Sequence, residues 1–118
     1  MDELVGRIVA KVGVTRPVAE AAVGIILDFL SREVPPDTLA PLLAKLPGSD
    51  VAIARAHESG GLPIGGLMGA GTRLMGAGLG MEHIQGVVQE TIAFARENAG
   101  QETVDRFADA IPGLRQFL

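Results

Sequence analysis

The sequence predicts an all-α fold: a compact bundle of about six helices, built from two similar helical halves with a glycine-rich helix at the centre. Three observations carry that prediction. Apolar residues recur at helical spacing along nearly the whole chain, in segments closed by glycine and proline. The apolar fraction of 47% is almost entirely aliphatic, with four Phe and no Trp or Tyr, which suits packed helices better than a β-sandwich. Finally, residues 65–80 read GGLMGAGTRLMGAGLG, with the block LMGAG present twice, at Leu67 and again at Leu74.

In chain order, Leu4, Val5, Ile8, Val9 and Val12 give a first amphipathic helix behind the acidic Asp2 and Glu3, ended by Gly13. Thr15 is placed to cap the next helix, with Pro17 tolerated in its first turn. Apolar residues then cover most of the circumference from Val18 to Leu30, the mark of a buried central helix that Pro35 and Pro36 stop. Leu39, Leu42, Leu43 and Leu46 form a short stripe closed by Pro47 and Gly48. Part of that stripe matches LxxLL, but its leucines are core positions. Residues 49–58 read as a short helix capped by Ser49, and Gly60, Gly61 and Pro63 break the chain before the glycine-rich helix. Gly80 ends that helix. A long helix over 82–98 follows, stopped by Gly100, and Val104, Phe107, Ala108 and Ile111 repeat the short stripe before Pro112 and Gly113.

The halves match at a shift of 65 residues. Val23 falls on Val88, Phe29 on Phe94, Pro47 on Pro112 and Gly48 on Gly113, so DTLAPLLAKLPG and ETVDRFADAIPG follow one pattern. We expect a single domain over 1–118 with half-repeats 2–48 and 66–113 joined by 49–65, packed about a pseudo-two-fold axis. A domain-swapped dimer hinged at 59–66 would use the same helices.

Composition excludes several functions. The first 59 residues hold six basic and eight acidic residues and the remainder four and six, so each half contributes −2 to the net −4. No basic cluster and few aromatics leave nothing to grip phosphates or stack on bases, so no nucleic-acid partner is expected. No cysteine means no disulfide and no zinc–thiolate site. The acidic amphipathic start lacks the form of a signal peptide, and no uninterrupted apolar run reaches about 18 residues, so a cytoplasmic protein without stable membrane insertion is expected.

One pattern spans the chain: an amphipathic opening helix, G-V-T-x-x-x-A-E from Gly13 to Glu20, a long apolar helix, A-K-L-P-G from Ala44 to Gly48, a glycine-rich middle and a closing helix pair. It resembles the bacterial domain of unknown function typified by the VcgC/VcgE proteins, over nearly the full chain. The resemblance implies an all-α fold and no assigned activity, and it brings no functional residues with it.

Candidate chemistry is sparse. Gly66 and Gly71 have P-loop spacing, but Arg73 stands where that motif requires lysine, and no strand precedes it. His57 and His83 each adjoin a glutamate, and neighbours on a helix point about 100° apart, so neither pair chelates a metal as a unit. Ser31, Ser49 and Ser59 lie outside any nucleophile motif. Asp28 and Glu90 sit on apolar-rich helices and are expected in solvent-facing gaps, Asp28 with Arg32 as a surface i, i+4 pair. No enzyme activity, cofactor or metal is therefore expected.

The glycine-rich helix is the most informative stretch. Each glycine inside a helix costs roughly 0.5–1 kcal/mol relative to alanine, so close backbone contacts are expected to offset the five between residues 66 and 79. On a helical wheel Leu67, Met68, Gly71, Leu74 and Met75 share an apolar face, while Arg73 lies opposite, flanked by Gly69 and Gly76. The expected function is a non-enzymatic structural or protein-interaction module that self-associates as a homodimer, or docks a protein partner, through Gly69, Arg73 and Gly76. The alternative is a carrier of an apolar small molecule or lipid, with Leu67, Met68, Leu74, Met75 and Met81 lining a pocket between the halves.

Overall fold

A computed structural model of the chain describes residues 2–59, 66–111 and 113–117. They form seven α-helices and a closing 3-10 turn: α1 (Asp2–Val12), α2 (Arg16–Glu33), α3 (Pro36–Leu43), α4 (Ser49–Ser59), α5 (Gly66–Gly76), α6 (Met81–Ala99), α7 (Gln101–Ala110) and the turn Leu114–Phe117. The count of about six leaves out α4, the short helix read over 49–58 in the segment that joins the halves. The breaker at 60–63, most of the hinge expected at 59–66 and the side chain of Leu67 lie outside the described residues.

The punctuation follows from backbone chemistry. Gly13, Gly48, Gly78, Gly100 and Gly113 all have positive φ, which an L side chain rarely adopts, and each stands at a helix boundary or turn. At the end of α5 the Leu79 amide donates to the Leu74 carbonyl and the Gly78 amide to that of Met75. That is a Schellman closure, with Leu74 and Leu79 buried together beneath it. It stops α5 at Gly76, three residues earlier than the apolar pattern suggests. Two caps also differ from expectation. Thr15 holds the N-cap position of α2 without a side-chain hydrogen bond. Ser49 is buried inside α4, whose first turn closes on the Gly48 carbonyl through the Ala52 amide.

The element boundaries repeat at the offset seen in the sequence. Adding 65 to α2 gives 81–98, one residue short of α6, and adding it to α3 gives 101–108, within α7. Gly48 and Gly113 have the same φ, 87°. α1 and α5 each pack against both long helices, and α3 and α7 close the bundle. Leu4, Ile8, Leu27, Leu74, Phe94 and Ile111 meet in the core, each contributing about 1.5–3 kcal/mol by leaving water.

Among the glycines whose surroundings are described, the tightest approaches are at Gly24 and Gly86. A Cβ built on Gly24 would stand 2.6 Å from the Ala52 carbonyl oxygen, because α4 lies directly on α2. One built on Gly86 would stand 2.9 Å from Val12 Cγ2, where α1 crosses α6. At Gly71 and Gly76 a Cβ would meet nothing within 4 Å. The expectation that the glycines of α5 serve internal packing is corrected at those two positions.

Candidate functional site

The charged centre of the molecule is Asp28. It lies in the run 22–30, AVGIILDFL, every residue of which is buried, and is itself only 3% exposed. A lone carboxylate there needs partners, since an uncompensated buried charge is among the costliest features a fold can hold. Arg73 on α5 supplies the first, its Nη1 donating to Oδ2 at 2.8 Å, while its Nη2 donates to the Ala56 carbonyl of α4 at 2.7 Å. Arg32, one turn along α2, brings Nη2 to 3.3 Å from the same carboxylate oxygen. Arg32 also reaches His57 Nδ1 at 2.8 Å. Guanidinium nitrogens only donate, so Nδ1 is the acceptor in this contact.

One carboxylate therefore ties α2, α4 and α5 together. The expected solvent-facing Asp28 is corrected. The surface pair with Arg32 exists, but only as the outer edge of an inward ion pair with Arg73. Arg73 Nε has no hydrogen-bond partner among the described residues, so the guanidinium is held by its two terminal nitrogens.

That pair fixes the rotation of α5. Arg73 turns inward, its side chain 16% exposed, and Gly69, Ala70 and Leu74 are buried alongside it. Of the expected interaction face of Gly69, Arg73 and Gly76, only Gly76 is exposed, so those three residues do not form a docking surface. The expected pocket is corrected as well. Met68 is 83% exposed, Met75 54% and Met81 66%, while Leu74 belongs to the core. The cause is electrostatic: an arginine that must meet a buried carboxylate outweighs two methionines that lose about 1.5–3 kcal/mol each by facing water.

The outer side of α5 is therefore a ridge. Met68 and Met75 stand two turns apart, with exposed Thr72 between them. Gly71 and Gly76 flank the ridge, their backbones open to any approaching group. α5 itself places no ionisable side chain on this side, since its one charged residue, Arg73, turns inward.

Glu90 is the second cluster. Its Oε1 lies 3.6 Å from Arg7 Nε and 3.9 Å from Lys11 Nζ, and Arg7 also pairs with Glu97 at 3.0 Å, so these charges fasten α1 to α6 along the rim of that contact. His83 sits in the first turn of α6, where its Nδ1 accepts the Gly80 amide at 3.4 Å. Among the described residues no group of three His, Asp or Glu is arranged to hold a metal ion, and no helix is long and apolar enough to cross a membrane.

Sequence reasoning placed Arg73 and the methionines on opposite sides of one helix, as the structure does, but with inside and outside exchanged. The available signal was pairwise. Asp28 is the only charge between residues 21 and 31, and Arg73 the only one between 59 and 81, of opposite sign. Comparison of the chain with protein-family models, curated proteins and solved structures finds no match.

Proposed function

We propose that this chain is a non-enzymatic cytoplasmic interaction module that pairs with a second copy of itself through the outer ridge of α5. The observation that carries the reading is an exposed methionine ridge, Met68 and Met75, bordered on both sides by bare glycine backbone at Gly71 and Gly76. Ridge and groove lie on one patch, so a two-fold operation seats the ridge of each copy in the groove of the other. α5 itself brings no charged side chain to the patch, so two copies, each at −4, can meet ridge to ridge without α5 placing like charges in contact. A close partner helix would also offset the helix-weakening glycines that no neighbour within the chain approaches. The polar groups support a structural role: Asp28 is enclosed by its arginines, the Thr91 hydroxyl donates to the Val87 carbonyl within α6, and the Thr103 hydroxyl of α7 donates to the Ala99 carbonyl at the end of α6.

Native mass spectrometry across a concentration series tests this reading. The wild type should show a two-chain mass, and Met68→Glu with Met75→Glu should raise the dissociation constant at least tenfold, since removing a central interface anchor typically costs more than 1 kcal/mol. Circular dichroism should stay unchanged, because both positions face water in the single chain. A wild type that remains single at every concentration, or a glutamate variant that pairs normally, would refute the proposal.

A further inference from the structure

Among the described residues methionine is absent from the core. The buried apolar residues are Leu, Ile, Val, Ala and Phe, whereas Met68, Met75 and Met81 are all exposed. Methionine commonly fills irregular gaps in packed interiors, so the exposure of all three of these residues is not explained by packing. The chain also has no Cys, Trp or Tyr, which leaves these thioethers as its most readily oxidised accessible side chains.

We propose that the methionines of the α5 ridge and the start of α6 are a peroxide-sensitive modification site that controls pairing of the chain. The reading rests on the self-association proposed above. The thioether sulfur attacks the distal oxygen of a hydroperoxide, the O–O bond breaks, and an S=O bond forms. With hydrogen peroxide the balance is thioether plus H2O2 giving sulfoxide plus water, the sulfur losing two electrons and the peroxide gaining them. The product replaces an apolar side chain by a strongly polar one. On the single chain it remains solvated and harmless. In the pair it must be desolvated against glycine backbone, where a buried polar group without a partner weakens association by about tenfold or more. Reduction by a methionine sulfoxide reductase, with a dithiol as electron donor, reverses the change.

The test treats the intact protein with hydrogen peroxide, maps sulfoxides by peptide mass spectrometry and measures pairing before and after by native mass spectrometry. Met68→Leu with Met75→Leu and Met81→Leu serves as control, since leucine keeps the apolar volume and cannot be oxidised. The expected result is a gain of about 16 Da at Met68, Met75 and Met81, at rates close to that of free methionine. The treated wild type should pair at least tenfold more weakly, the reductase should restore pairing, and the treated leucine variant should pair as before. Sulfoxides that form without weakening the pair, or equal weakening of the leucine variant, would overturn the proposal. Methionines that resist oxidation in a protein that pairs would overturn it while leaving the self-association reading intact. An untreated protein found only as single chains would remove both.

Discussion

The long helices α2 and α6 begin 65 residues apart and differ by one residue in length, yet they meet different surroundings. Residues 22–30 of α2 are buried without a break. At the corresponding stretch, α6 keeps Gln89 exposed, and Gln85 and Arg96 to either side of it are exposed too. The difference follows from what lies on top. α4 runs along α2, whereas among the described residues after α7 the short turn Leu114–Phe117 touches α6 lightly. Gly24, where α4 needs bare backbone, corresponds to Gln89, where nothing requires it. The two long helices thus differ at single positions in step with the neighbours each one meets.

The ion pair shows the same divergence. Shifting by 65 carries Arg73 onto Ile8 and Asp28 onto Ala93, so the two charges paired between α2 and α5 correspond to aliphatic residues of α1 and α6. In α1–α6 the charges have moved to the rim, as Arg7 with Glu90 and Glu97, which bracket Ala93 at about one turn on either side. Buried ion pairs are weak contributors to stability, whereas breaking one is severe. Asp28→Ala should therefore destabilise the chain by about 3–5 kcal/mol in urea unfolding, because it strands the Arg73 guanidinium. Adding Arg73→Ile, which recreates the other half's solution, should recover most of that loss. If the double variant is no better than the single, the two contacts are not equivalent and the comparison breaks.

Two glycines outside the glycine-rich block sharpen it. A methyl at Gly24 meets the Ala52 carbonyl oxygen, and relieving that clash requires α4 to shift as a body. Gly24→Ala should cost about 2 kcal/mol, within the usual range for overpacking. The methyl of Gly86→Ala meets only a Val12 side-chain methyl at the last residue of α1, and better helix propensity offsets part of the strain, so a loss of about 1 kcal/mol or less is expected. Denaturant midpoints at unchanged m-value measure both. Equal losses would mean that α4 adapts as readily as a side chain.

Much of this could be read from the residues. The seven helices, their glycine stops and the offset of 65 all rest on local spacing and turn chemistry. The rotation of α5 could not be read that way, because GLMGAGTRLMG places Met and Leu on one broad face and small residues elsewhere, with no unambiguous inside. Its direction is set 45 residues away, by a carboxylate in α2. The close approach at Gly24 escaped for the same reason. A lone glycine in an apolar helix does not say which neighbour it admits.

The smallest expected effect separates the glycines that serve the fold from those that the proposed pairing would use. Gly71 is helical, and a Cβ there meets nothing within 4 Å, so in an isolated chain alanine should be the better residue. Gly71→Ala should raise unfolding stability by about 0.5–1 kcal/mol at concentrations too low for pairing, through helix propensity and reduced entropy of the unfolded chain. The same methyl narrows the groove beside the Met68–Met75 ridge, so pairing should weaken while the fold gains. Opposite signs in the two measurements would identify Gly71 as a residue retained for association at the expense of stability. A gain in both would leave the glycines of this helix without a role in pairing and would move the contact elsewhere on the ridge.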